Sequence, residues 1–233
     1  MIVIAGDSWG CGEWHDLNLT HGGLAQYLLE DNHNVINLSV HGSSNWEIYE
    51  RLDLFFKSGI PKYLKESIEL VLVFQTEWIR DLSLNKLSCG KEHARTNAIA
   101  CWQYRLSEVA VKNNVKIGLI GGCSDTVYFD YFEKEHPGVF IACQSFTNLC
   151  AGNNDRVDDP TFFVRPDNDV LKKLGAHYKK YSSIDLLSDD IDRGISRDKI
   201  WKIHPKWFYP DGNHANRHAH KKLYDYLKTT KVI

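Results

Sequence analysis

The chain has 233 residues, of which 43% are hydrophobic and 25% charged, and its formal net charge is −2. That balance belongs to a globular chain with a sizeable core and argues against disorder. No basic stripe follows the pattern of a phosphate-tracking surface, and no apolar run is long enough to span a bilayer, so neither nucleic acid nor a membrane is an expected partner.

In chain order, the apolar run Ile2–Ala5 predicts a first strand, and Gly23–Glu30 a short helix. Val35–Val40 predicts a second strand and Ser44–Lys57 a longer helix. Leu70–Phe74 reads as a third strand. Asn97–Lys112 then places Ile99, Trp102, Leu106, Val109 and Ala110 on one face of an amphipathic helix. Val115–Ile120 and Val139–Cys143 complete the set of five strands, Val170–Tyr181 predicts a further helix, and Ala215–Leu227 predicts the last one. Runs that are continuously apolar, instead of alternating, suit strands covered on both faces of a parallel sheet. The expectation is an α/β fold, a three-layer α/β/α sandwich around a mainly parallel five-stranded sheet with flavodoxin-like winding. Between about residues 122 and 206 the pattern weakens, and GNNDRVDDP and RPDND are turn-rich. This region reads as an elaboration on one domain spanning 1–233, because it has no core pattern of its own.

The six cysteines, Cys11, Cys89, Cys101, Cys123, Cys143 and Cys150, form no CxxC pair and no zinc-like spacing. The opening MIVIAGD lacks the charged start, long apolar stretch and cleavage site of a secretory leader. Free thiols in a reducing, cytoplasmic compartment are expected.

Ligands of open α/β sheets bind outside the carboxyl ends of the strands. Gly6-Asp7-Ser8-Trp9-Gly10 follows the first strand there, Gly42-Ser43-Ser44-Asn45 the second and Gln75-Thr76-Glu77 the third. Asp211-Gly212-Asn213-His214 precedes the last helix. A serine hydroxyl is a weak nucleophile until a base takes its proton and a third group fixes the base. Asp211 and His214 are three residues apart, a spacing that in a helical turn puts both side chains on one face. Each residue also has a plainer reading, Ser8 as a turn or cap residue, Asp211 as a turn former and His214 as a cap. His214, His218 and His220 have helical spacing, but no HExxH occurs and no carboxylate is placed to complete a metal site, so they read as surface histidines with no metal. Gly121-Gly122 lacks the other glycines and the Lys of a phosphate loop, and no cofactor is expected. Trp9, Trp14 and Trp46 fit either core packing or a sugar-stacking surface.

GDSWG after the first strand, a Gly-rich turn after the second, and DGNHAN before the last helix resemble the SGNH, or GDSL-type, esterases and lipases. The resemblance implies an α/β/α hydrolase that cleaves acyl esters, often on carbohydrate, through an acyl-serine intermediate. It makes Ser8 the nucleophile, Asp211 and His214 its activating pair, and Gly42 an oxyanion donor beside the Ser8 N–H. It does not extend over residues 122–206.

The third motif of that family, Gly-x-Asn-Asp, is missing, and Phe74-Gln75-Thr76-Glu77-Trp78 stands in its place. Asn45 is the expected replacement donor. Glu77 must then turn away from the oxyanion, held by Arg80, and Asp7 joins these as a substrate-side residue. The substrate expected is a small-molecule or carbohydrate ester. The alternative is a catalytically weak or inactive binding or structural protein with a protein assembly partner, for example in a viral particle.

Overall fold

The computed structural model describes residues 1–15, 18–76, 91–122, 126, 138–152, 204–210 and 214–233, with the backbone alone at 15 and 91–100. The elements among them are β1 (Ile2–Ala5), α1 (Ser8–Cys11), β2 (Glu13–His15), β3 (Asn18–His21), α2 (Gly23–Glu30), β4 (Val35–Asn37) and α3 (Asn45–Lys57). They continue with α4 (Lys62–Glu66), β5 (Leu70–Gln75), α5 (Lys91–Asn113), β6 (Lys116–Gly121), β7 (Val139–Cys143), α6 (Phe146–Ala151) and α7 (Arg217–Thr229). The expected helix Val170–Tyr181 lies outside the described residues.

The main sheet has the order β4-β1-β5-β6-β7 and every pairing in it is parallel. Successive side chains of a strand point to opposite faces, and the burial follows that period. Ile2, Ile4, Leu72, Phe74 and Ile120 join Leu24, Leu28, Phe146, Leu223 and Leu227 in one core, under α2, α6 and α7. Val3, Ala5, Val71, Val73, Ile117 and Leu119 join Ile48, Leu52, Trp102 and Leu106 in the other, under α3 and α5. Helices therefore cover both faces, and the fold is the α/β/α sandwich the apolar runs predict.

From β1 the chain winds to one side, to β4, and then returns past β1 to build β5, β6 and β7 on the other side. The reversal falls between β1 and β5, and a crevice at the carboxyl ends of the strands opens at such a point.

Several boundaries differ from the sequence reading for local reasons. β4 ends at Asn37 instead of Val40, although the Leu38 and Val40 N–H groups still donate to the Ile4 and Gly6 carbonyls; Asn37 Nδ2 donates to the Gly10 carbonyl of α1 and its Oδ1 accepts from the Ser39 N–H. The last helix starts at Arg217 instead of Ala215. Asn216 caps it, its Oδ1 accepting from the His218 and Ala219 N–H groups. His214 therefore precedes the helix. The antiparallel hairpin β2–β3 was not foreseen, since its strands are too short to show alternation.

Among the described residues, Cys11, Cys101, Cys143 and Cys150 form no disulfide. No helix among them is long and apolar enough to cross a membrane.

Candidate functional site

Ser8 is the first residue of α1, immediately beyond β1, and is 2% exposed. Asp7 caps that helix through Oδ1, which accepts from the Trp9 N–H at 3.0 Å. The Ser8 N–H stands at the first helical position, where no intrahelical acceptor exists.

His214 reaches the same place from the far end of the chain. Its Nε2 lies 3.2 Å from Ser8 Oγ. The backbone around it is pinned, with the Tyr209 N–H donating to the His214 carbonyl at 3.0 Å and Phe208 bridging Ala215 in antiparallel fashion. With Nε2 unprotonated, this contact is a hydroxyl-to-imidazole hydrogen bond, the arrangement in which a base can take a serine proton. Asp211, Glu77 and Arg80 lie outside the described residues.

Gly42 occupies an exposed turn beyond β4, closed by the Ser43 N–H donating to the Val40 carbonyl. Its φ is +79°, a sign that glycine adopts without strain and that a type II turn requires at its third residue.

Asn45 is tied to the third loop. Its side chain is fully buried, and its amide faces the third loop: Nδ2 donates to the Thr76 carbonyl at 3.0 Å while Oδ1 accepts from the Thr76 N–H at 2.9 Å. Asp7 meets the same residue, Oδ2 accepting from Thr76 Oγ1 at 2.9 Å. Thr76 thus ties the Ser8 loop, the start of α3 and the end of β5 together. Asp7 and Asn45 act as braces between loops in this arrangement.

Arg51 on α3 adds a second brace that the sequence reading missed. Its Nε donates to the Leu38 carbonyl at 3.2 Å, and its Nη2 donates to Ser43 Oγ at 2.6 Å and the Gly6 carbonyl at 3.4 Å. One guanidinium fork therefore spans the ends of β1 and β4 and the Gly42 turn. An arginine one helical turn or more into α3 carries no sequence signal of such a role.

The tryptophans divide. Trp9 is core, its ring edge-on to Phe146 at 5.3 Å between centroids. Trp46 lies against Tyr49 with the rings tilted, and its Nε1 donates to Glu50. The Trp14 ring lies 4.9 Å from the ring of His41 at a tilt of 52°, and the exposed His41 ring lies 6.0 Å from that of His214. His41 thus flanks His214, with Trp14 behind it.

The histidines of α7 also divide, with His218 exposed and His220 fully buried, which corrects the reading of both as surface residues. No cluster of His, Cys, Asp and Glu among the described residues could hold a metal ion.

No family model matches the chain, and no curated protein matches it. Solved structures similar to it include TesA, at 13% identity and a TM-score of 0.45, covering 98% of this chain and 96% of that one. The acetyl xylan esterase AlAXEase is 15% identical with a TM-score of 0.43, covering 98% of each chain. The lipase Lip_vut3 from a goat rumen metagenome is 14% identical with a TM-score of 0.44, covering 98% of this chain and 95% of that one. At these values the likeness carries no conclusion about activity, which rests on the geometry of the site.

Proposed function

We propose that this protein is a serine ester hydrolase. The observation that carries the reading is the 3.2 Å contact between Ser8 Oγ and His214 Nε2 at the switch point of the sheet.

Ser8 Oγ attacks the ester carbonyl carbon while His214 Nε2 takes the hydroxyl proton. The carbonyl oxygen becomes an oxyanion, and the Ser8 and Gly42 N–H groups are the donors assigned to it. His214 returns the proton to the departing alcohol as the C–O bond breaks, which leaves acyl-Ser8. Water, deprotonated by His214, releases the acid and restores the serine. Asp211 is assigned to orient the imidazole. Asn45, Asp7 and Thr76 keep the three loops in register. The His41 ring flanking His214, with Trp14 behind it, supports an alcohol moiety with a flat apolar face, so an O-acylated carbohydrate is the first substrate class to test.

The test is turnover of short acyl esters and labelling of Ser8 by a fluorophosphonate. Both should occur in the wild type and vanish in Ser8→Ala. Ester turnover that survives Ser8→Ala overturns the reading.

The burial of Ser8, at 2% exposure, favours a second reading in which the fold binds a partner without turnover. Absence of both labelling and turnover in the folded protein would select it.

A further inference from the structure

Glu13 lies five residues beyond Ser8 and Arg217 three residues beyond His214, and the two side chains meet. Glu13 is 1% exposed, whereas the Arg217 side chain is 48% exposed. Arg217 Nη2 donates to Glu13 Oε1 at 2.9 Å, and Nε donates to Oε2 at 3.1 Å. The Arg217 backbone N–H also donates to Glu13 Oε2. Thr20 Oγ1, from the partner strand of the hairpin, donates to Oε1 at 2.7 Å. Burial alone would raise the carboxyl pKa, but the bonds from Arg217 and Thr20 outweigh it and hold the group at about 2.

The connection is rigid on both sides. Between Ser8 and Glu13 the chain turns at Gly12 (φ +132°), where a Cβ would stand 2.3 Å from the His21 carbonyl oxygen. On the other side Arg217 is the first residue of α7, and its N–H is one of the orphan donors of that helix. Asn216 satisfies the next two N–H groups, so Glu13 completes the cap of the helix that follows His214. A buried carboxylate with this many donors is far more costly to break than an exposed ion pair.

We infer that Glu13 and Arg217 are positioning residues that hold the imidazole of His214 on the hydroxyl of Ser8. This inference rests on the ester-hydrolase reading of the same site. The pair touches no reacting atom. It adds a charged, directional tie between two segments that also meet through the packing of Trp9 on Phe208.

Steady-state kinetics on a short acyl ester separate the possibilities. Arg217→Gln keeps the backbone bond and the Thr20 bond to Glu13, so the fold should survive. The expected result is a kcat lower by about tenfold to a hundredfold with KM within about twofold, since a displacement of about 1 Å costs on that order. Arg217→Lys should fall between this variant and the wild type, because a single ammonium keeps the charge but not the fork. Glu13→Gln combined with Arg217→Gln should be no worse than the weaker single variant. Wild-type kcat in Arg217→Gln, or a loss that only follows the folded fraction, overturns the inference and leaves the hydrolase reading intact. Turnover in the wild type that is independent of Ser8 sinks the hydrolase reading instead. A crystal structure of Arg217→Gln decides the matter without activity: the Oγ to Nε2 distance should lengthen, and an unchanged distance overturns the inference.

Discussion

His214 Nε2 and Ser8 Oγ approach to 3.2 Å although 206 residues separate them, and the fold creates this approach by placing both segments at the carboxyl end of β1. If the two act as one unit, removing either disables the other. His214→Ala should lower kcat by about a thousandfold or more, and adding Ser8→Ala should lower it little further. Additive losses in the double variant would show that the residues act separately.

The amide of Asn45 and the peptide of Thr76 exchange two hydrogen bonds in a site closed to water. Asn45→Ala removes both bonds, and loss of buried hydrogen bonds costs about 1–3 kcal/mol each. A clear fall in the urea midpoint is expected, together with a lower kcat. Asn45→Asp keeps the acceptor for the Thr76 N–H but loses the donor, and should lie between. A variant with wild-type stability and a lowered kcat would assign Asn45 the direct donor role expected from its place after Gly42.

Arg51 touches three loop ends and should matter for rate more than for binding. Arg51→Met keeps the apolar stem and removes the fork, so the Gly42 turn loses its side-chain tie to the end of β1 while the Val40 N–H bond to the Gly6 carbonyl remains. A kcat about tenfold lower with little change in KM is expected, and KM rising alone would assign Arg51 to substrate binding instead.

The strands and the two sheet faces were legible because a buried parallel strand must be apolar throughout, and Leu70 to Phe74 can hardly read otherwise. That Ser8 and His214 come together was legible only through their pairing, since each alone reads equally well as a turn or cap residue. The braces were not. Thr76, Arg51 and the Glu13–Arg217 pair act through contacts between segments distant in sequence, and nothing local distinguishes Glu13 from any surface glutamate. The tie of Asn45 to Thr76 was not legible, because its place after Gly42 gives its position along the chain and not the direction of its amide. His220 misled, since an imidazole at helical spacing is as compatible with the core face as with solvent.

His220 gives the last prediction. It is fully buried, and its ring lies 5.1 Å from that of Phe146. Burial drives its pKa down to about 4. In the unfolded chain a histidine titrates near about 6.5. Below that pH the unfolded state binds a proton that the native state refuses, so stability is full above about 6.5 and falls as the pH drops toward about 4. The difference corresponds to about 3 kcal/mol. His21, also held low by burial, adds to the same window with the same sign. Glu13 acts in a lower one: its carboxyl, held at about 2, contributes stability that is present above the usual carboxylate range and is lost as the pH falls from about 4.5 to about 2. Urea midpoints measured between pH 7 and pH 4 should therefore decline in the wild type. In His220→Leu, which fills the site without a titrating group, most of that decline should disappear, while Glu13→Gln should flatten the fall below it. The same slope between pH 7 and pH 4 in His220→Leu would show that another group carries the acid sensitivity.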